Sequence, residues 1–251
     1  MRICVLTSTG AVLLSTLLMA QQPNATEIVK RADDKMRGEK SSFSTMSMKI
    51  VRPTWERTIS FKSWGKGTEL SLVYITGPAR DKGQSFLKVN NEMWSWNPSI
   101  NRTIKLPTSM LSQGWMGSDF TNDDLLNQRS IVVDYIHEII GEEIVSGEPC
   151  HKISMKPKPD APVVWGMITM WISKKDDLIL KTEYFDEDQY LVKSEIGKDL
   201  KVMDGRLMPT TFELIPADDE GNMTIVTITE IKFNIPIEDS FFSQQNMQRV
   251  R

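Results

Sequence analysis

The chain has 251 residues, of which 40% are hydrophobic and 25% are charged. This composition excludes a disordered, collagen-like or purely coiled-coil chain, and the length allows one domain with a large core. With 30 Lys and Arg residues against 33 Asp and Glu residues, the net charge of −3 gives no general attraction for nucleic acid.

The first 20 residues have the layout of a cleaved secretory signal peptide. Arg2 precedes an apolar stretch from Ala11 to Met19, and the small residue Ala20 lies just before a polar boundary. A membrane anchor is the alternative, but the stretch is shorter than the roughly 18 apolar residues that span a bilayer. We therefore expect residues 1–20 to be removed and residues 21–251 to form a single exported domain.

One amphipathic helix is predicted at the start of this domain. Asn24 is a capping residue, Glu27 follows three positions later, and apolar residues recur at helical spacing until Gly38. From Phe43 onward the apolar residues alternate with a period of two, which is typical of strands with one buried face. Short strands separated by polar turns continue to Phe233, and one of them is expected at residues 131–140.

These patterns predict a mainly β, α+β fold with an antiparallel sheet of about ten or eleven strands. A sheet of this length must curl or close to protect its edges, so we expect a barrel or an unclosed half-barrel. The departures from strand patterning are the first helix, residues 107–127, and a tail at 238–250 that has the pattern of a last short helix. Cys150 is alone after cleavage, so the core rather than a disulfide must stabilise the fold.

The sequence offers no recognisable catalytic or metal site. His137 and His151 lie in separate predicted strands, and Cys150 is adjacent to His151, so the two side chains point to opposite faces. No nucleophile elbow, phosphate-binding loop or dinucleotide-binding turn is present. We therefore expect neither catalysis nor a cofactor.

Tryptophan and methionine are frequent, with 7 and 15 residues respectively. Trp94 and Trp96 are two positions apart in a predicted strand, so both face the same side of the sheet. Methionine suits cavities that accept variable apolar shapes. Trp94 and Trp96 are thus candidates to line a ligand cavity, and a filled barrel interior is the alternative.

Residues 109–120 place large apolar side chains among Gly and Ser with neither helical nor strand periodicity. We name this stretch the cover segment, because so much apolar surface must pack against something, and a cavity mouth is the predicted place. Gly114 and Gly117 are candidate pivots, and Asp119 or Thr121 is expected to cap a short helix that follows. An ordinary loop that plugs the barrel is the alternative. The apolar side chains of the segment are Met110, Leu111, Trp115, Met116 and Phe120.

About 50 residues, from Gly77 to Leu126, resemble the LolA-like outer membrane lipoprotein-sorting protein family of Gram-negative bacteria. The resemblance is carried by Gly77-Pro78, Lys82-Gly83, Phe86-Leu87, Met93-Trp94-Ser95-Trp96-Asn97-Pro98, Arg102, Lys105-Leu106, Met116-Gly117-Ser118-Asp119-Phe120 and Asp123-Asp124-Leu125. It implies a periplasmic, unclosed antiparallel barrel whose concave face is covered by helices and encloses an apolar cavity for acyl chains. In the family's carrier a barrel arginine holds the lid. Arg57 is the candidate here, with an ordinary surface arginine as the alternative.

The function expected from these observations is that of a monomeric periplasmic carrier. It would bind the acyl chains of lipoproteins, or another lipid, in the apolar cavity and pass them toward the outer membrane. An inner-membrane donor transporter and an outer-membrane acceptor are the partners that the resemblance implies. The alternative is a sensing or interaction domain on the same scaffold, which binds a lipid or lipoprotein as a signal and reports to a protein partner.

Overall fold

The computed structural model describes residues 24–37, 40–67, 69–90, 92–122, 124, 130–161 and 163–251. The predicted signal peptide therefore lies outside the described residues. The helices are α1 (Ala25–Arg37), α2 (Ser130–Val133) and α3 (Gln244–Met247). The strands are β1 (Ser41–Arg52), β2 (Trp55–Lys66), β3 (Leu70–Gly77), β4 (Ser85–Val89), β5 (Glu92–Asn97), β6 (Arg102–Lys105), β7 (Tyr135–Val145), β8 (Glu148–Pro157), β9 (Met167–Ser173), β10 (Ile179–Phe185), β11 (Leu191–Met203), β12 (Arg206–Pro216) and β13 (Met223–Phe233).

All these strands form one antiparallel sheet in the order β6-β5-β4-β3-β2-β1-β13-β12-β11-β10-β9-β8-β7. Two runs of neighbouring strands are joined where β1 pairs with β13. Strands β6 and β7 are the two ends of the sheet and do not pair with each other, so the barrel is unclosed, as predicted. The described residues contain 13 strands rather than ten or eleven.

Tight polar turns connect neighbouring strands. Between β11 and β12, Asp204 and Gly205 have φ values of 47° and 80°. A two-residue hairpin with both φ values positive matches the twist of the strands, and Asp-Gly adopts it at little steric cost. The register of long strands such as β11 and β12 is set at such turns.

The sheet has two differently covered faces. We name as the cover face the one on which α1 and the cover segment lie, and as the tail face the opposite one, against which the C-terminal residues pack. Helix α1 is capped as predicted, since Asn24 Oδ1 accepts from the Thr26 backbone N–H at 3.0 Å. Its residues Ile28, Val29 and Ala32 are completely or almost completely buried, in a cluster with side chains of β8 and β9.

The structure also decides the predictions for residues 131–140 and for the C-terminal tail. The strand expected at 131–140 begins only at Tyr135, because Ser130–Val133 form α2. The apolar residues of this stretch were compatible with either structure over so short a range. The expected short helix in the tail is confirmed as α3, which follows a 3-10 turn at Asp239–Phe241.

Candidate functional site: an apolar cavity under the cover segment

A cavity of about 130 Å³ lies on the cover face of β1 to β5 and β13, beneath the cover segment. Its wall combines methionine and aromatic side chains with three polar ones. The lining residues are Met46, Met48, Phe61, Ser63, Ser71, Val73, Phe86, Lys88, Met93, Trp115, Phe120 and Val226.

Strand register brings these side chains together. Met46 pairs with Phe61 across β1 and β2, and Val73 pairs with Phe86 across β3 and β4. Directly paired residues point to the same face of a sheet. The period-two pattern of four separate strands therefore becomes one continuous, mostly apolar wall.

Trp115 is the roof of the cavity. Its side chain is only 2% exposed and meets the rings of Phe61 and Phe86 edge-on, at centroid distances of 5.5 and 5.4 Å. Such edge-to-face contacts are favourable beyond the area that they bury. The indole Nε1 of Trp115 is buried, and no hydrogen-bond partner for it exists among the described residues. Met116 and Phe120 are partly buried against the same cluster.

The cover segment is held in a compact shape by hydrogen bonds within the segment. Trp115 N–H donates to the Phe120 carbonyl at 2.6 Å, and Ser118 Oγ donates to the Trp115 carbonyl at 2.8 Å. Gly117 has a φ of 81°, a value that favours glycine, and a Cβ on Gly114 would lie 2.6 Å from the Ser118 carbonyl oxygen. Both glycines are therefore required by the closed shape, and their role as pivots remains a prediction.

A buried ion pair fixes one end of the cover segment to the sheet. Arg52, the last residue of β1, donates to both carboxylate oxygens of Asp119 at 2.9 and 3.1 Å, and to the Gly117 carbonyl at 3.0 Å. Thr224 Oγ1 lies 2.6 Å from the same carboxylate. The side chains of Arg52 and Asp119 are 14% and 9% exposed. A bidentate pair of this kind is directional and strong where water is largely excluded.

A second ion pair lies just after the segment. Lys193 of β11 is 4% exposed and pairs with Asp124, whose other oxygen accepts from Trp165 Nε1 at 3.2 Å. The Lys193 ammonium also lies 4.6 Å from the ring centre of Trp165. Asp124 and Thr121 exchange side-chain to backbone hydrogen bonds, so Thr121 rather than Asp119 is the capping residue. The rest of the predicted short helix lies outside the described residues.

Trp94 and Trp96 do not line this cavity, which corrects the sequence-based assignment. They do share one side of the sheet, but it is the tail face, where they pack in a cluster with Phe242 and Met247. The alternation gave the shared side but not which side it was, and Met93, one position earlier, lines the cavity instead.

Fewer side chains of the cover segment line the cavity than predicted. Trp115 and Phe120 line the cavity, whereas Met110 and Leu111 do not. Met110 is 40% exposed, because it belongs to the 3-10 turn that precedes the roof.

Arg57 is not the arginine that holds the cover segment. It pairs with Asp81 at 2.6 Å, and Arg52 holds the cover segment instead. Sequence reasoning missed Arg52 and Lys193. No local pattern in the sequence marks either residue as an anchor, and the apolar residues Val192 and Ile196 lie on the opposite face of β11 from Lys193.

His137 and Cys150 lie in surroundings that keep their side chains uncharged. Burial lowers the pKa of His137, whose Nε2 lies 2.6 Å from the Ile131 carbonyl oxygen. Burial also raises the pKa of the Cys150 thiol, which keeps it protonated. Within the described ranges no group of three or more His, Cys, Asp or Glu residues is placed to hold a metal ion. No helix in that part of the chain is long and apolar enough to cross a bilayer.

The unclosed antiparallel sheet matches the LolA-like class of fold, and known structures share this fold. A DUF1329 family protein from Desulfovibrio piger has a TM-score of 0.81 at 23% identity, over 89% of this chain and 98% of that one. An outer membrane lipoprotein-sorting protein domain from Vibrio parahaemolyticus has a TM-score of 0.79 at 19% identity, over 90% and 98%. A LolA superfamily protein from Nitrosomonas europaea has a TM-score of 0.75 at 21% identity, over 88% and 98%.

Residues 67–249 match the sequence model of a family described as "-like: Uncharacterized protein". The match covers more than half of the chain, so the chain belongs to this family. The LolA-like fold that the sequence resemblance implies is confirmed by these structures. No curated protein matches the chain.

Proposed function

We propose that this protein is a periplasmic carrier that binds an acyl chain, from a lipoprotein or another lipid, in the cavity beneath the cover segment and passes it toward the outer membrane. The observation that carries the proposal is the apolar cavity with the buried Trp115 as its roof. The wall of methionine and aromatic side chains suits a flexible hydrocarbon. The LolA-like fold supports the same class of ligand.

The size of the cavity requires the cover segment to move. A cavity of about 150 Å³ accommodates a benzene-sized molecule, and ligand pockets usually have about 300–1,000 Å³. At about 130 Å³, the closed cavity has room for only the end of an acyl chain. A longer chain enters if Trp115 leaves its place between Phe61 and Phe86.

Transfer between proteins follows from the energetics of burial. Each buried CH₂ contributes about 0.8 kcal/mol, so a 16-carbon chain gains on the order of 10 kcal/mol before ordering costs. Escape into water is therefore slow, and a carrier must open against an acceptor. The two ion pairs, Arg52 with Asp119 and Lys193 with Asp124, would restrain the cover segment until that contact is made.

The location and the partners follow from the predicted signal peptide together with this mechanism. An exported protein with a lipid cargo needs a donor at the inner membrane and an acceptor at the outer membrane. The carrier would act as a monomer between them.

The test is to purify the exported protein from the periplasm under mild conditions and to identify any bound lipid by native and lipid mass spectrometry. The loaded protein is then incubated with acceptor membranes, and movement of the lipid is followed. A stoichiometric acyl ligand that transfers is the expected result.

A protein that stays free of lipid after incubation with membranes would contradict the carrier. Bound lipid that never transfers, but changes the affinity for a protein partner, would favour the sensing domain.

A further inference from the structure

The indole N–H of Trp115 differs from those of two other buried tryptophans. Trp171 is 1% exposed and its Nε1 donates to Glu143 at 2.9 Å. Trp165 is 9% exposed and its Nε1 donates to Asp124 at 3.2 Å. Trp115 is 2% exposed, yet its Nε1 has no acceptor among the described residues.

Only the side chain of Trp115 is left in this condition. Its backbone N–H donates to the Phe120 carbonyl, and its own carbonyl accepts from Ser118. A buried donor without an acceptor destabilises the state that contains it, so such groups are rare in folded proteins. Because Trp115 lines the ligand cavity, the ligand itself can supply the missing acceptor. An indole N–H only donates, so the ligand atom must be an acceptor such as an oxygen.

A second neutral donor lies near Trp115 in the cavity wall. The hydroxyl of Ser63 is in the row of Phe86, because Ser63 pairs with Val73 and Val73 pairs with Phe86. Ser63 also follows Phe61 by two positions on β2, so the two side chains share a face about 7 Å apart along the strand. Phe61 and Phe86 are the two rings that Trp115 contacts. One ligand oxygen between these rings is thus near both donors.

The acceptor that fits this wall is uncharged. Lys88, the cation of the cavity wall, already interacts with another group of the protein. An anionic group beside Trp115 would lie among methionine and phenylalanine side chains, where an unpaired charge is costly. A carbonyl oxygen accepts two hydrogen bonds without carrying a charge.

We propose that the cavity recognises the carbonyl oxygen of an acyl group, linked as an ester or an amide, which accepts from Trp115 Nε1 and from the Ser63 hydroxyl. This inference rests on the proposed function and names the group of the acyl ligand that the site binds. Trp115 moves to admit the chain, and the new hydrogen bond holds the ring over the chain when the cover segment closes again. The site therefore distinguishes acyl chains from alkyl chains of the same length, which have no carbonyl.

The test compares three lipids with the same phosphocholine head group and a single 16-carbon chain, joined through an ester, an amide or an ether. Only the ester and the amide have a carbonyl. Their dissociation constants are measured by equilibrium dialysis with the exported full chain, below the critical micelle concentration. We expect the ester and the amide to bind about tenfold more tightly than the ether. The tighter of these two identifies the linkage of the natural ligand.

Variants assign the preference to the two donors. Trp115→Phe should bring the affinities for the ester and the ether close to each other, and Ser63→Ala should lower their ratio by a smaller factor. The matched control is Trp171→Phe, which also removes a buried indole N–H, but from a cluster that has no residue in the cavity wall. This control should keep the ratio of the unaltered protein. Thermal unfolding of each variant confirms that it folds.

A measurement on the unaltered protein covers the case in which Trp115→Phe does not fold. The indole proton of Trp115 is assigned by proton–nitrogen NMR through its contacts with the rings of Phe61 and Phe86. A hydrogen bond to a carbonyl oxygen moves this resonance downfield. We expect the shift with the ester and not with the ether.

Equal affinities for the ester and the ether, or the same indole shift with both, would overturn the carbonyl site while the carrier stands, because both lipids still bind. An ester preference that Trp115→Phe leaves intact would overturn it as well. If none of the three lipids binds and no lipid is recovered from the purified protein, the carrier itself fails. The two failures are thus distinguishable.

Discussion

The cover segment and the C-terminal tail both seal an apolar face of the same sheet, but they do so by different means. The tail packs by aromatic contacts. The ring centroid of Phe241 lies 5.5 Å from that of Trp64 and 5.4 Å from that of Phe242. Its ion pair, Lys66 with Asp239, is solvent-exposed. The cover segment also packs through an aromatic residue, Trp115, but it is held in addition by the buried pair of Arg52 and Asp119, and it leaves a cavity beneath it.

On the proposed function, the difference makes the tail a permanent seal and the cover segment a releasable one. Apolar packing is lost gradually as surfaces separate, and removing it exposes hydrocarbon to water. A bidentate ion pair has a defined geometry and two alternative states, paired or solvated, so a partner that offers competing charges can release it. We therefore interpret the tail as part of the core and the cover segment as the movable element.

The largest expected effect distinguishes two tryptophans, Trp96 beneath the tail and Trp115 within the cover segment. Trp96→Ala should destabilise the protein by about 3–5 kcal/mol, as for other buried aromatic residues, because it empties the tail-face cluster. Trp115→Ala should cost a similar amount in the ligand-free protein, but palmitate should restore much of it by occupying the enlarged cavity. Urea unfolding with and without palmitate measures both effects.

The two variants test whether the cover segment and the tail differ in their response to a ligand. If palmitate stabilises Trp96→Ala as much as Trp115→Ala, the ligand does not occupy the space that the Trp115 ring leaves. Phe212→Ala cannot replace Trp96→Ala in this comparison, because Phe212 packs in a third cluster that lies on the cover face.

The anchor of the cover segment should give the next largest effect. Arg52→Met leaves the Asp119 carboxylate without its cation, and we expect a loss of about 2–3 kcal/mol, less than the roughly 3–5 kcal/mol of a fully buried pair because both side chains reach some water. Release of a bound acyl chain to acceptor vesicles should become faster. Stopped-flow transfer of a fluorescent acyl chain measures the rate.

The control is Lys49→Met on the same β-hairpin. Lys49 and Glu56 form a pair at 2.7 Å whose side chains are 42% and 65% exposed, so its loss should change stability and release very little. Equal release rates for the two variants would mean that Arg52 does not restrain the cover segment.

The comparison also explains how much the sequence could predict. The alternation of apolar residues gave the antiparallel sheet, and the Asn24 cap gave the start of α1. Trp94 and Trp96 were expected to line the cavity but lie on the tail face, because alternation is symmetric: it tells which residues lie together but not which of the two faces the cover segment packs on. Only the packing of Phe242 and Met247 against them resolves the choice.

The anchors were hidden for a different reason. Arg52 and Asp119 are 67 positions apart, and Lys193 and Asp124 are 69 apart. No local spacing rule connects such residues. Trp115 and Phe120 were found because five large apolar side chains in an aperiodic stretch require a covering role wherever the stretch packs. The covering role of the apolar side chains could thus be predicted from the local sequence, whereas ion pairs between distant residues could not.

A smaller effect is expected when residue 115 keeps an aromatic ring but loses the indole N–H donor. Trp115→Phe removes the buried Nε1 that has no partner among the described residues, which relieves a penalty of about 1–3 kcal/mol. It also removes ring volume and leaves a larger cavity. We expect the two changes to offset each other to within about 1 kcal/mol, against the much larger loss in Trp115→Ala. Urea unfolding of the three proteins measures this. A Phe variant as unstable as the Ala variant would mean that the indole N–H has a partner.

The smallest expected effect concerns the ion pair of the tail. Lys66 and Asp239 lie 2.6 Å apart, but Asp239 is 77% exposed, so water solvates both charges when the pair is broken. Lys66→Met should therefore change the free energy of unfolding by about 0.2–1 kcal/mol and leave acyl-chain release unchanged. A loss as large as that of Arg52→Met, or faster release, would mean that the tail is also held by charge. The tail would then be a second movable cover, and the groove between Trp64 and Arg249 would become the place to search for a ligand.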